Sequence, residues 1–242
     1  MKSLALFSLK GGVGKSTAAV NLAHVAATAG GRRTLLWDLD AQGGATFLVR
    51  GAPVGRVKAR AGLTGDGSPL DLIVPSEWAG LDLLPADRSL RRVEGDLARA
   101  GGQPLRRHLK ALAADYDRVI LDCPPGLSEL ATRVFRAVDL VVVPVIPSPL
   151  SVRALEQLEA ELARLGDEAP PVLAFWSLAD RRRRLHRAAL DTAPHRAVVP
   201  ASALVEAMAE ARRPLGALAP RSPVARAYAA LWSAVEVALV RG

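Results

Sequence analysis

The chain has 242 residues, 50% hydrophobic and 23% charged, which excludes a disordered protein and suffices for one α/β domain with a large core. A single cysteine, Cys123, excludes an internal disulfide; no stretch reads as long and apolar enough to cross a bilayer, and no signal-peptide plan opens the chain, so a cytoplasmic setting is expected. The formal net charge of +8 calls for a polyanionic partner, either nucleic acid or an anionic membrane surface.

Leu4 to Leu9 is an apolar run that reads as a buried strand. It feeds KGGVGKST (Lys10 to Thr17) and then an alanine-rich helical segment reaching Ala29. Strand, glycine-rich turn and helix together are the setting of a phosphate-binding loop. Glycines at 11, 12 and 14 reach backbone angles closed to other residues and leave no side chain in the way. Successive N–H groups of Gly11, Gly12, Val13, Gly14, Lys15, Ser16 and Thr17 can then point at phosphate oxygens, helped by the positive end of the helix. Lys15 would reach the β- and γ-phosphates, and the Ser16 hydroxyl would ligate Mg²⁺. Lys10 stands where the usual motif has its first glycine. Two lysines at one loop repel each other unless a polyanion lies between them.

KGGVGKS/T resembles the deviant Walker A loop of the ParA/MinD family of P-loop ATPases. The resemblance implies that Lys10 reaches across a nucleotide sandwich dimer to the partner's phosphates. Further along, Thr34 to Trp37 reads as a buried strand that delivers Asp38, Asp40 and Gln42 at its C-terminal end, where ligands bind open α/β sheets. The family's D-x-D-P-Q-G appears here with Ala41 in place of proline, which is expected to loosen the turn. By resemblance, Asp40 orients the attacking water and Asp38 supports the Mg²⁺ shell.

Residues 50–76 read as irregular surface with a helical turn near Leu70 to Val74. Leu81 to Ala86 is a strand ending near the nucleotide side. Helical segments Arg88 to Ala100 and Leu105 to Ala114 follow, broken at Gly101, Gly102 and Pro104. Val119 to Leu121 is another buried strand, and its Asp122 resembles the Walker B aspartate that holds Mg²⁺ through water. Cys123 beside it reads as a small buried apolar residue. Asp139 to Val152 is a strand, a proline-punctuated loop and a helix start; Leu155, Leu158, Leu162 and Leu165 give that helix one apolar face. Pro171 to Leu178 and Arg196 to Ser202 are the last strands. In relatives the loop after the last strand contributes to the adenine pocket, which makes Pro200 and Ala201 candidates. The C-terminal run from Glu206 to Trp232 also resembles the family pattern, and Val224, Tyr228, Leu231 and Val235 recur at helical spacing to dock the last helix on the sheet. The fold expected is a single α/β domain over residues 1–242, a doubly wound, mainly parallel β-sheet flanked by helices.

Arg181 to Arg184 are expected to open a helix with Arg182, Arg183, His186 and Arg187 on one face and Leu185, Ala188 and Ala189 opposite. In relatives the regions of Arg212, Arg213 and Arg221 lie toward the same surface and contribute to non-specific DNA binding, a contact that reads phosphates rather than bases. The resemblance thus implies an ATP- and Mg²⁺-dependent homodimer on nucleoid DNA in the cytoplasm. A cargo-linked, ParB-like protein would stimulate its slow ATPase, and the cargo would be a plasmid, a chromosome or a protein assembly. A MinD-like membrane ATPase is one alternative, but the tail SAVEVALVRG carries Glu236 and only Arg241 beyond its apolar run, which argues against stable membrane insertion. A biosynthetic or metal-insertion ATPase of the same superfamily is the other, and nothing resembles the second substrate or thiol site it needs. The P-loop strand stands almost at the start, so no DNA-reading extension of the kind larger relatives carry is expected before it.

Overall fold

The computed structural model describes residues 1–50, 59–64, 69–97, 99 and 103–241. In chain order its elements are β1 (Lys2–Leu6), α1 (Lys15–Thr28), β2 (Thr34–Asp38), α2 (Gly44–Arg50), α3 (Ala61–Thr64), β3 (Val74–Pro75), β4 (Leu81–Leu84), α4 (Val93–Leu97) and α5 (Pro104–Leu112). The second half continues with β5 (Arg118–Asp122), α6 (Glu129–Phe135), β6 (Leu140–Val145), α7 (Pro149–Ala163), β7 (Val172–Ala179), α8 (Arg184–Thr192), β8 (Val198–Pro200), α9 (Leu204–Ala211), α10 (Leu215–Leu218) and α11 (Pro223–Arg241). The sheet order is β3-β4-β2-β5-β1-β6-β7-β8, with only β3 antiparallel to its neighbour. This is the doubly wound, mainly parallel sheet that the alternating pattern predicts.

Strands such as TLLWD and RVILD are buried along their whole length, because helices cover both faces of the sheet. Side chains alternate between the two layers. Leu4, Leu6, Leu36, Ile120 and Val142 face α1 and α11, whereas Ala5, Leu35, Trp37, Val119, Leu121 and Val141 face the layer built from α4 to α8. The central registers pair Leu6 with Asp122 and Asp38 with Asp122, so three neighbouring strands end level and put two carboxylates side by side.

Several boundaries differ from the expectation, each for a physical reason. The first strand ends at Leu6 rather than Leu9, because the chain must leave the ladder to enter the loop; Phe7 stays buried and its N–H donates to the Val142 carbonyl. The first segment after β4 is not one helix. Asp87 caps a 3-10 turn over Arg88–Arg92 by accepting the Ser89 N–H at 2.6 Å, and α4 follows. The break expected at Gly101-Gly102 lies outside the described residues, as does much of the irregular stretch expected at 50–76. Helix α6 was not expected: Ser128 caps it by accepting the Ala131 N–H, and Leu130, Ala131, Val134 and Phe135 bury one side.

Helix α11 also corrects the reading that nothing is long and apolar enough to cross a membrane. Its 19 residues, at a mean hydropathy of 1.3, meet that test by length and composition. Here the helix lies on α1 and the sheet, with Val224, Tyr228, Leu231 and Val235 buried as their spacing predicts. Its Glu236 receives two hydrogen bonds, 2.9 and 2.7 Å, from the nearly buried Arg118 at the start of β5. A fork-on-carboxylate pair of this kind fixes the angle of the helix as well as its position.

Candidate active site

Gly12 (φ 74°) and Gly14 (φ 88°) take left-handed backbone angles in the turn between β1 and α1, where a side chain would be strained. At Gly14 a Cβ would also come within 3.2 Å of the Ser177 hydroxyl, which donates to the Val13 carbonyl at 2.8 Å and fastens the loop to β7. The first turn of α1 has no acidic residue, so its free N–H groups and positive end face the cleft uncompensated. Gly11, Gly12, Gly14, Lys15, Ser16, Thr17 and Asp40 line one cleft of about 470 Å³. The Val13 side chain is buried beneath it. Lys15 is 7% exposed and makes no ion pair among the described residues. Lys10 turns away from the loop and donates from Nζ to the Leu150 carbonyl at 2.9 Å.

The acidic residues divide the work. Asp38 is fully buried and already satisfied: Oδ1 accepts the Asp40 N–H, and Oδ2 accepts the Thr46 N–H at 2.8 Å and the Thr46 hydroxyl at 2.7 Å. That hydroxyl accepts in turn from the Ala86 N–H at 2.9 Å, which ties the end of β4 to the site. Burial pushes the Asp38 carboxyl up to about 6 against the pull of these hydrogen bonds. Asp40 stands at the cleft, where its Oδ1 accepts the Gln42 N–H and its carbonyl accepts from Gly43 at φ 66°. These bonds close the turn that Ala41 was expected to loosen.

Asp122 is the residue left in need of a ligand. It is fully buried, and neither oxygen meets a hydrogen-bond donor among the described residues. Burial, and then the neighbouring Asp38, hold its carboxyl well above the usual range; the nearby Ser16 hydroxyl and Lys15 ammonium act against them without closing a hydrogen bond. An unpaired buried carboxylate beside a serine hydroxyl and a lysine fits a hydrated divalent cation with a polyanion. Cys123 is buried as expected, its thiol pushed up by that burial and by Asp122, so it is inert.

The sign of the Asp122 effect gives a test. A carboxyl raised in the folded state contributes stability at acid pH that is lost as pH rises through its folded value. At neutral pH the ligand-free protein is therefore destabilised by this group. Asp122→Asn should raise its melting temperature by a few degrees, on the order of 1 kcal/mol, while removing the further stabilisation by Mg²⁺. A lower melting temperature in the variant would show that Asp122 is satisfied in the native fold.

A second hollow of about 550 Å³ adjoins the first, sharing Leu178 and Val205. Leu178 adopts φ 53°, and the Ala201 N–H donates to the Ala179 carbonyl, drawing the β7 and β8 exits together. Ala201 lines this hollow; Pro200 lines neither. Sequence reasoning missed Leu178, Val205 and Tyr228 as cleft residues. Tyr228 was legible only as a docking residue, and nothing in the sequence marks the other two.

The arginine run differs from its predicted arrangement. Asp180 captures Arg182 through Nε at 2.9 Å and through the second guanidinium nitrogen at 3.1 Å, and it also accepts the Arg182 N–H. The helix therefore begins only at Arg184. The shifted start turns His186 inward, where its Nδ1 accepts the Asp180 N–H, and leaves Leu185 63% exposed. Arg183 and Arg187 remain exposed, as do Arg212, Arg213 and Arg221. Arg212 sits at φ 52° with its guanidinium 5.0 Å over the ring of Phe47.

A family model described as an AAA domain matches residues 1–174. Over 208 residues the chain is 35% identical to the chromosome partitioning protein ParA of Caulobacter vibrioides, covering 81% of this chain and 76% of that protein. Cobyrinic acid a,c-diamide synthase from Mycobacterium smegmatis, with bound ADP and magnesium, superposes with a TM-score of 0.81 at 29% identity, over 97% of this chain and 93% of that one. The Cyanothece McdA(D38A)–ATP complex shares the fold at a TM-score of 0.83 and 22% identity, over 99% and 96% of the two chains.

Proposed function

Because the chain belongs to the ParA/MinD-type family of P-loop ATPases, we propose that it is an ATP-driven dimerising switch that coats DNA without regard to sequence. It is an ATPase whose cofactors are ATP and Mg²⁺. Release from DNA follows when a cargo-linked, ParB-like partner stimulates hydrolysis, so that a plasmid, a chromosome or a protein assembly is partitioned or positioned. The chain acts in the cytoplasm, at the nucleoid.

The observation that carries the reading is the division between the two loop lysines. Lys15 is buried beside the unpartnered Asp122 and serves its own nucleotide, whereas Lys10 points out of the loop to an exposed carbonyl, from which a second subunit's phosphates can recruit it. Loop N–H groups and Lys15 hold the phosphates, Ser16 and Asp122 hold the hydrated Mg²⁺, and Asp38 supports that shell by fixing the turn that carries Asp40. Bound Mg²⁺ neutralises charge on the phosphates. Asp40 orients the water for in-line attack. Leu178 and Ala201 shape the space for the base, beside Pro200.

Arg183, Arg187, Arg212, Arg213 and Arg221 supply the DNA contacts, while Arg182 is held by Asp180 and shapes the turn instead. Neutralising Arg183 and Arg187 together should weaken binding equally on unrelated duplexes. The log–log salt slope should fall by about 0.9 for each lost phosphate contact, with ATP binding unchanged. Unaltered DNA affinity in that variant would make the run a solvated face. Anionic liposomes with ATP belong in the same assay, since preferential binding there would favour a membrane surface over DNA. The docking of α11 through Glu236 and Arg118 supports DNA.

A further inference from the structure

A third hollow, of about 780 Å³, is larger than the two at the nucleotide end. It lies at the opposite edge of the sheet, where β1, β6 and β7 begin. The length of β1, about 16 Å, separates it from the phosphate loop. Its volume is within the range, about 300–1,000 Å³, of hollows that enclose a ligand. Neither the phosphate chemistry nor the DNA contacts use any residue that lines it.

Four cationic and three acidic side chains line this hollow, and they are not matched. Lys2 pairs with Asp139 at 3.5 Å and Arg136 with Glu168 at 3.2 Å, both at half-exposed positions. Asp139 is also engaged by the Ser3 N–H and hydroxyl, which donate to its Oδ2 at 2.7 and 2.9 Å. Arg106 and Lys110 have no ion pair among the described residues, although Asp167 and Glu168 line the same hollow. They stand one turn apart on one face of α5, where like charges repel. Arg106 is also in the first turn of that helix, which holds no acidic residue, so the helix dipole opposes its charge. Helix stability therefore does not account for Arg106, nor for its placement beside Lys110. Between the two cations Leu109 turns down, and with Val138 and Pro170 it makes a buried apolar floor.

We propose that this hollow is a docking site for an acidic peptide segment of a partner protein. Its carboxylates meet Arg106 and Lys110 while an apolar side chain settles on Leu109 and Val138. Exposed ion pairs contribute little, so Lys2 and Arg136 can leave Asp139 and Glu168 for an incoming carboxylate at small cost. An apolar centre within a charged rim is the pattern of protein interfaces. A duplex backbone offers phosphates for the rim but nothing apolar for the floor. Because the hollow and the phosphate loop lie at opposite ends of one strand, the partner holds the protein equally in every nucleotide state. The inference rests on neither the dimer nor the DNA reading.

Fluorescence anisotropy with a short labelled peptide, glutamates flanking two leucines, tests it. Binding should be saturable, and equal without nucleotide, with ADP and with a non-hydrolysable ATP analogue. The Arg106→Glu, Lys110→Glu double variant should weaken it by roughly 10-fold or more, since two attractions become repulsions. Ala113→Glu, at an exposed position on the wall, should weaken it without touching either cation. All three positions face solvent, so melting temperature and intrinsic ATPase should stay at the parent's values, which separates lost docking from lost folding. No saturable binding overturns the proposal, as does parental affinity in either variant. Equal binding of the peptide with glutamines in place of its glutamates overturns the acidic recognition. Competition by duplex DNA, with DNA affinity lost in the double variant, makes the hollow part of a nucleic-acid surface and overturns the choice of partner. Binding in one nucleotide state alone overturns its independence from the ATP cycle.

Discussion

Lys15→Ala loses ATP binding. The side chain is 7% exposed, pairs with no carboxylate among the described residues, and sits where the loop's N–H groups converge. Truncating one partner of a desolvated, hydrogen-bonded charge pair costs about 2–5 kcal/mol, so affinity should fall between roughly 30-fold and several thousand-fold. Thermal shift gives a second readout. A ligand at 100 times its dissociation constant stabilises the parent by about 2.7 kcal/mol, and at the same concentration the variant should keep at most about 0.9 kcal/mol of that rise. Calorimetry that finds parental affinity in the variant would show that phosphates do not bind in this loop.

Asp40→Ala keeps ATP and loses turnover. Asp40 contributes nothing to the N–H cradle, and among the described residues its carboxylate takes one hydrogen bond, from the Gln42 N–H, which fixes the neighbouring turn. Removing a group that orients or activates the nucleophile lowers kcat by roughly 10²–10⁴-fold, with the ATP-bound state accumulating as a persistent dimer. Asp40→Asn separates chemistry from shape. It retains Oδ1 to accept the Gln42 N–H and abolishes the charge, so an equal loss in both variants assigns the effect to the carboxylate. Parental turnover in either would move the water-orienting role elsewhere in the cleft.

What could be read from the chain beforehand were features with a local cause. TLLWD and RVILD are apolar throughout because both faces are covered, and the glycines at 12 and 14 announce left-handed angles that the fold then uses. What could not be read depends on which of several available partners a side chain takes, or on partners distant in sequence. The direction of the arginine run was set by Asp180, whose side chain takes Arg182 and delays the helix, reversing which of Leu185 and His186 meets solvent. Helix α6 had a local signal in Ser128, overshadowed by the prolines before it. Asn21 looked like one polar position in an alanine-rich helix, because its acceptor and donor lie 187 and 194 residues further along.

The packing of α11 on α1 has a consequence for the order of synthesis. The face of α1 that carries Ala18, Leu22 and Ala26 is covered by Val224, Tyr228, Leu231 and Val235, the last of them more than 200 residues later. A ribosome releasing the chain from its N-terminus makes the phosphate loop well before the cover for its helix. Until α11 arrives, the loop stands on a helix with one apolar side bare, and contacts of such long range are slow to close. Tyr228 also lines the phosphate cleft, so the cleft is itself unfinished during that interval. The phosphate cleft therefore gains its Tyr228 wall only once α11 has packed on α1.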